Sequence, residues 1–400
     1  MLRHLRDMGP RTRAQIAAET GLNKATVSSL VAELVQRGLV REGTVLREGS
    51  IGRPGQVVEL DGHGVCGVGL EVNVDYVAAI VLNLRGDVIS ESSMGLDVPR
   101  LGPDGALDAL ADVAREAIRA AADSGATPVG VTVAIPGLVD VAQGVLTFAP
   151  NLRWRDVPVV EALLERLERP TYPVRVDNDA NLSALAEYLM GGSPDVSNLV
   201  YLTGEVGVGG GVIVDGRLLR GVEGFSGEVG HMPFGSAQHV CGCGRRGCWE
   251  TAVGLAALLR AVADPDDPVR EPVRGLEPRL AEIKRRAEGG DERTLAALQQ
   301  IGAALGLGAS VLVNLFNPRA VVLGGYFATL GQYFLEPAMA ELRARVLAPD
   351  AAGCRLELST LGFTAAVRGG AHVALEAVLA DPTLVPATDR RSLSSTSGLG

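Results

Sequence analysis

Aromatic side chains make up only 4% of this 400-residue chain, and cysteine occurs five times. No run of about 18 consecutive apolar residues is present, so nothing reads as a membrane-spanning helix and no membrane partner is expected. The start, Met1-Leu-Arg-His-Leu-Arg6, is basic, but the apolar core of a secretory signal does not follow. A cytoplasmic, nucleoid-associated protein is expected. Cys66 and Cys354 stand apart from the other three cysteines, so no secreted disulfide framework is visible. What the chain has in quantity is apolar residue, 47%, and 51 glycines. That mixture fits a glycine-punctuated α/β protein rather than a disordered one, with room for two or three domains.

Charge is unevenly placed. Residues 1–60 hold nine Lys/Arg against six Asp/Glu, which leaves 28 against 41 for the rest of a chain of net charge −10. A basic head on an acidic body suggests that the head alone meets a polyanion. The head reads as three short helices. Leu2, Leu5 and Met8 stripe the first, and Gly9-Pro10 breaks it. Thr12 can cap a second over Arg13–Glu19, and Asn23 a third from Lys24 to Arg37. In the third helix Val27, Leu30, Val31 and Leu34 face a core, while Lys24, Ala25, Thr26, Ser28 and Ser29 offer small or hydrogen-bonding groups suited to base edges and phosphates. This is a helix-turn-helix pattern, against the plainer alternative of a helical hairpin. Residues 39–41 and 57–60 read as two strands of a wing. Between them Gly52-Arg53-Pro54-Gly55 holds Arg53 in an extended arm of the kind that enters a minor groove.

From Val65 the periodicity turns to strands: Val65–Leu70, Val77–Leu84 and a third from Val88 after the turn Arg85-Gly86-Asp87. A helix over 104–123 and a buried strand, Val129–Ile135, ending at Pro136-Gly137, follow. Asn151 lies in a loop, and the strand Val174–Val176 runs into Asp177-Asn178-Asp179-Ala180-Asn181. Asn and Asp at such a junction cap helices, and they can also hold adjacent hydroxyls. The run Gly204–Gly211 is a weak signal that suits either a phosphate-holding turn or a hairpin.

The densest chemistry lies in Cys241-Gly-Cys243-Gly-Arg-Arg-Gly-Cys248-Trp-Glu250, preceded by Glu228-Val-Gly-His231. Three thiols within eight residues, with His231 or His239 as a fourth ligand, match a closed tetrahedral Zn²⁺ set with no open position for hydrolysis. The alternatives are a reduced cysteine cluster or an adventitious disulfide.

These two motifs resemble the zinc signature of the ROK (repressor/ORF/kinase) family of bacterial sugar kinases and sugar-responsive repressors. The resemblance selects His231 as the metal's His and implies that it also faces the sugar. It implies an N-terminal winged helix-turn-helix (1–62), which the family's kinases lack. A two-lobed ribonuclease-H-like α/β domain of the actin-like ATPase and sugar-kinase superfamily (63–382) would follow. Its lobes would divide near 180, and its C-terminal helix would return to the first lobe. Residues 383–400, rich in Pro, Thr, Ser and Gly, are expected to be disordered. The sugar site implied by the resemblance comprises Gly137, Asn151, Asn178, Asp179, Glu228, His231 and Glu250. One structural Zn²⁺ per chain would be held by His231, Cys241, Cys243 and Cys248.

One stretch departs from the kinase pattern. Where the family's kinases carry an Asp-x-Gly-Gly-Thr phosphate loop, this chain has Glu71-Val72-Asn73-Val74-Asp75, and Glu205 stands in the second glycine-rich turn. Side chains fill the space that glycines leave open, and acids repel a triphosphate. The expectation is a sensor without catalytic residues: a homodimeric or homotetrameric repressor on a two-fold symmetric operator, answering a small sugar. A kinase with an appended DNA-binding module, or a regulator governed by a protein partner, is the alternative.

Overall fold

Apolar strands alternate with amphipathic helices from residue 57 onward, and the computed structural model shows how they layer. It describes residues 1–43, 56–191, 196–271, 275–348, 350 and 353–387. Arg53 and its loop, and the tail from 388, therefore lie outside the described residues.

At the N-terminus three helices form, Leu2–Met8, Arg13–Thr20 and Lys24–Gln36. Thr12 and Gln15 make a reciprocal capping box on the second, and the Asn23 side chain accepts from the Thr26 N–H on the third. The strands Val40–Gly43 and Val57–Leu60 pair antiparallel, and the two-residue strand Arg11–Thr12 adds itself to Val57–Val58. Met8 is 49% exposed, so the stripe of the first helix reduces to Leu2 and Leu5. The Gly9-Pro10 break turns the chain away before Met8 reaches the core.

The first lobe is a five-stranded sheet in the order 174–178, 127–135, 65–72, 76–83, 88–95. The first three strands run parallel, and 76–83 pairs antiparallel with both 65–72 and 88–95. The helix Val98–Asp123 covers it; a left-handed Gly102 before Pro103 separates a first turn from the helix expected at 104. The second lobe has a five-stranded sheet in the order 217–218, 208–214, 199–204, 320–325, 355–358. Its helix Glu292–Phe316 is long and apolar enough to cross a membrane, with mean hydropathy 1.6, but 61% of that apolar window is buried.

The last helix, Ala365–Ala380, joins all three parts. Gly67 and Gly69 of the first sheet lie so close to it that a Cβ on either would strike the carbonyls of Ala371 and Val367. On another side Gly369 meets the Leu182 carbonyl, in the helix that follows Asn178. Its outer face completes the N-terminal core, since Val367, Leu375, Val378 and Leu379 are buried in one cluster with Leu2, Leu5, Ile16 and Val31. Arg6 donates to Glu376 at 2.9 Å. The packed chain also runs past the boundary expected at 383. Pro382–Leu384 is a 3₁₀ turn, Val385 is 9% exposed in the same cluster, and Arg37 donates to the Val385 carbonyl at 2.6 Å. A single apolar residue that completes a distant core carries no local periodicity, which is why the sequence concealed it.

Candidate sugar and metal site

The strand Val174–Asn178 passes directly into the helix Asp179–Met190, and this junction forms one wall of a cleft. Asn178 uses its side chain to hold the turn. Its Oδ1 accepts from the Asn181 N–H at 3.0 Å, and its Nδ2 donates to the Gly137 carbonyl at 3.1 Å. It lines the cleft as a cap, and a direct bond to a ligand is left to its spare lone pair and proton. Asp179 instead presents a carboxyl whose proton affinity is pushed up to about 6 by burial, partly offset by the Ala180 N–H.

The opposite wall comes from the second lobe. Glu250 opens a short helix, and its Oε2 accepts from the Val208 N–H at 3.1 Å. Gly207 sits between Glu250 and Asn151; a Cβ there would lie 2.7 Å from Glu250 Oε2 and 2.8 Å from Asn151 Nδ2. A side chain at position 207 would have to displace these two groups, one from each lobe. Gly137, Asn151, Asn178, Asp179, Glu228, His231 and Glu250 all line one cavity of about 230 Å³. The cavity also takes in Phe148 and Arg245, which the sequence did not point to. Arg245 occupies an unspecified place between the glycines of the cysteine loop; the only signal was that this loop had to border the site.

The glycines of the 204–211 run serve close packing. Leu199–Gly204 and Val208–Val214 form a hairpin, and Gly209, Gly210 and Gly211 abut Ala180, Val229 and Ala184. Two acids, Glu71 and Glu205, stand close together beside the cavity. Asn73 donates to Glu205, and the Tyr76 hydroxyl donates to the buried Glu71 at 2.8 Å. Burial, and then the charge of Asp179, pushes Glu205 up to about 8; burial and the Glu205 charge hold Glu71 well above its ordinary value. Burial, with Asp179 and Glu250 nearby, lifts Glu228 to about 7. A carboxyl-lined cavity offers acceptors to hydroxyls and, where its carboxyls are protonated, donors as well.

His231, Cys241, Cys243 and Cys248 bring their ligand atoms within 4.8 Å of one another, a set that can bind a metal ion such as zinc. Cys243 Sγ and Cys248 Sγ are 3.7 Å apart, and so are Cys241 Sγ and His231 Nδ1. Ligands on a tetrahedral Zn²⁺ at about 2.3 Å would be separated by roughly 3.8 Å, so this donor set fits. Nδ1 faces the sulfurs, while Nε2 lies 3.7 Å from Glu228 Oε2. His239 is outside the set.

On the third helix of the N-terminal module Lys24, Ala25, Ser28 and Ser29 are exposed and Thr26 is half-buried, while Val27, Val31 and Leu34 are buried.

Comparison with known proteins places these features. Residues 67–377 match the model of the ROK family, and residues 1–46 match that of the MarR family. The chain is 32% identical over 395 residues to a putative xylose repressor of Caldicellulosiruptor sp., covering 96% of each. It is 31% identical over 376 residues to the xylose repressor of Bacillus subtilis, covering 94% of each. The crystal structure of a ROK family transcriptional regulator, a homologue of the E. coli MLC protein, superposes with a TM-score of 0.75 at 26% identity and 96% coverage of both chains. The relatives matched over nearly the whole length are regulators rather than enzymes.

Proposed function

The chain belongs to the ROK family as a xylose repressor-like transcriptional regulator with a DNA-binding domain, and we propose that a small neutral sugar releases it from its operator. D-xylose is the first candidate, by analogy with the relatives' names. The observation that carries this reading is that seven residues from both lobes converge on one carboxyl-lined cavity, in a chain that also carries a helix-turn-helix. Lys24, Ala25, Thr26, Ser28 and Ser29 would enter the major groove, with Arg53 reaching the backbone or minor groove. The protein would act in the cytoplasm as a homodimer or homotetramer, matching the symmetry of a two-fold operator. His231, Cys241, Cys243 and Cys248 would hold one structural zinc, which supplies folding energy and fixes the His231 ring beside the sugar.

The test is selection of operator fragments by the intact protein, followed by fluorescence anisotropy titration with and without D-xylose, L-arabinose, D-glucose and N-acetylglucosamine. The reading requires a sugar that changes operator affinity, and operator affinity that does not respond to any of them defeats it. The presence of Asp179 favours a second reading, sugar phosphorylation, because a carboxyl lifted to about 6 suits a general base. Phosphoryl transfer depends chiefly on neutralising the nucleotide, and Glu71 and Glu205 put acids where glycines would approach phosphate. No ADP release above background is expected with any bound sugar and Mg-ATP; turnover on the order of 1 s⁻¹ or faster would reverse the assignment.

A further inference from the structure

Between the edge strand Arg217–Leu218 and Glu228 the second lobe runs through a glycine-rich loop that reaches the cavity at Gly227 and Glu228. Gly221, Gly224 and Gly227 are all left-handed, with φ of 71°, 84° and 102°, and Val222 is 99% exposed. Such a segment has many accessible conformations and would lose much entropy on becoming ordered around a ligand.

One residue ties it to the first lobe. Arg220 donates from Nη1 to Asp177 Oδ1 at 3.0 Å and from Nη2 to Asp177 Oδ2 at 2.6 Å. The Asp177 carboxylate is only 5% exposed, and its Oδ1 also accepts from the Asn178 N–H at 2.8 Å. The backbone of Arg220 closes the loop on itself by accepting from the Ser226 N–H at 3.1 Å. The same ion pair therefore fixes both the Asn178–Asp179 turn and the loop that delivers Glu228. A planar guanidinium bonded through two parallel donors sets orientation as well as distance, which a lysine ammonium cannot do.

We infer that Arg220 is a positioning residue of the sugar site: paired with Asp177, it holds the 221–227 loop so that Glu228 stands ready before the ligand arrives. Preorganisation of this kind contributes affinity by removing an ordering cost from the binding step. The inference rests on the sugar reading above, and the experiment separates the two.

The intact, zinc-loaded protein would be titrated calorimetrically with D-xylose as wild type, Arg220→Lys, Arg220→Gln, Asp177→Asn and the double variant Arg220→Gln/Asp177→Asn. Amide hydrogen exchange over 221–228 would be followed without sugar. Asp177→Asn keeps an acceptor for the Asn178 N–H and loses the charge and the second acceptor of the pair. Each single change should weaken binding about tenfold or more, since charge-assisted hydrogen bonds are at stake. The double variant should be no weaker than the weaker single, because both remove one interaction. Loop amides should exchange about tenfold faster in Arg220→Gln, and Arg220→Lys should not restore binding. Arg220→Lys retains the charge, so the test stands if Arg220→Gln folds poorly. Wild-type affinity and wild-type loop exchange in Arg220→Lys would overturn the inference. So would additive losses in the double variant, which a general loss of stability produces. A wild-type protein that takes up neither D-xylose nor any of the other three sugars defeats the sugar reading at the first titration, and this role of Arg220 with it.

Discussion

At Glu250 one carboxylate joins the hairpin turn to the metal loop: Oε2 accepts from the Val208 N–H and Oε1 lies 3.1 Å from Cys241 Sγ. Glu250→Gln keeps the shape and removes the charge, so sugar affinity should fall by about 1.5–3 kcal/mol while zinc content stays unchanged. Calorimetry and elemental analysis read the two separately, and unchanged affinity would place the ligand elsewhere. Glu205 and Asp179 give a pH signature. Burial lifts them from ordinary values of 4.5 and 3.8 to about 8 and about 6, so between these limits the folded protein binds more protons than the unfolded chain. Stability should therefore fall as pH rises from about 4 to 8. Glu205→Gln should flatten the upper part of that slope and raise the thermal midpoint at pH 8.5 relative to wild type. An identical slope in the variant, measured by calorimetry, would contradict the buried acid. At this scale the sequence was readable wherever a motif specified the residue. Glu228, His231 and Glu250, which the resemblance assigned to a sugar site, line one cavity. Asn178 could be read from the sequence both as a helix cap and as a sugar ligand, and the structure shows the cap; Arg245 and Phe148 carried no pattern.

Among the elements, the long strands and helices were legible because each has its own apolar period. The three short strands Leu138–Asp140, Val145–Ala149 and Trp154–Val157 exist through pairing with one another, and so does Arg11–Thr12 on the wing, so no window of sequence discloses them. Two elements invite measurement. The metal loop is mostly glycine and cysteine, so its shape depends on ligation: Cys243→Ser should lose the metal, lower the thermal midpoint and abolish the sugar response. Zinc retained at one equivalent in that variant would exclude Cys243 from the set. The helix Ala365–Ala380 touches the Asp179 helix at Gly369 and the DNA-binding module at Glu376. A methyl at Gly369 would push against the Leu182 carbonyl and separate the two helices. Gly369→Ala should leave sugar binding and operator binding each measurable, yet shrink by several-fold the change that sugar makes to operator affinity. Coupling at its wild-type size would show that the signal travels another way.

In the whole molecule, the N-terminal module is not a bead on a tether. Its core is closed by Leu375, Val378, Leu379 and Val385, from the other end of the chain. Each such side chain, fully buried, is worth about 1.5–3 kcal/mol, and a domain of about 60 residues has little stability to spare. Residues 1–62 expressed alone should therefore be mostly unfolded, or melt far below the intact protein. Adding the 365–387 segment in trans should raise their helical signal in circular dichroism. An isolated module as stable as the whole would show that the shared core is incidental.

That shared core bears on the order of synthesis. The module that reads DNA leaves the ribosome first, but the helix that completes it is made about 300 residues later. At about 5–20 residues per second, this leaves roughly 15–60 s in which the recognition helix exists without its full support. A growing chain is thus a poor operator ligand until its last helix is released, and prematurely terminated chains should not compete with finished repressor for the same DNA.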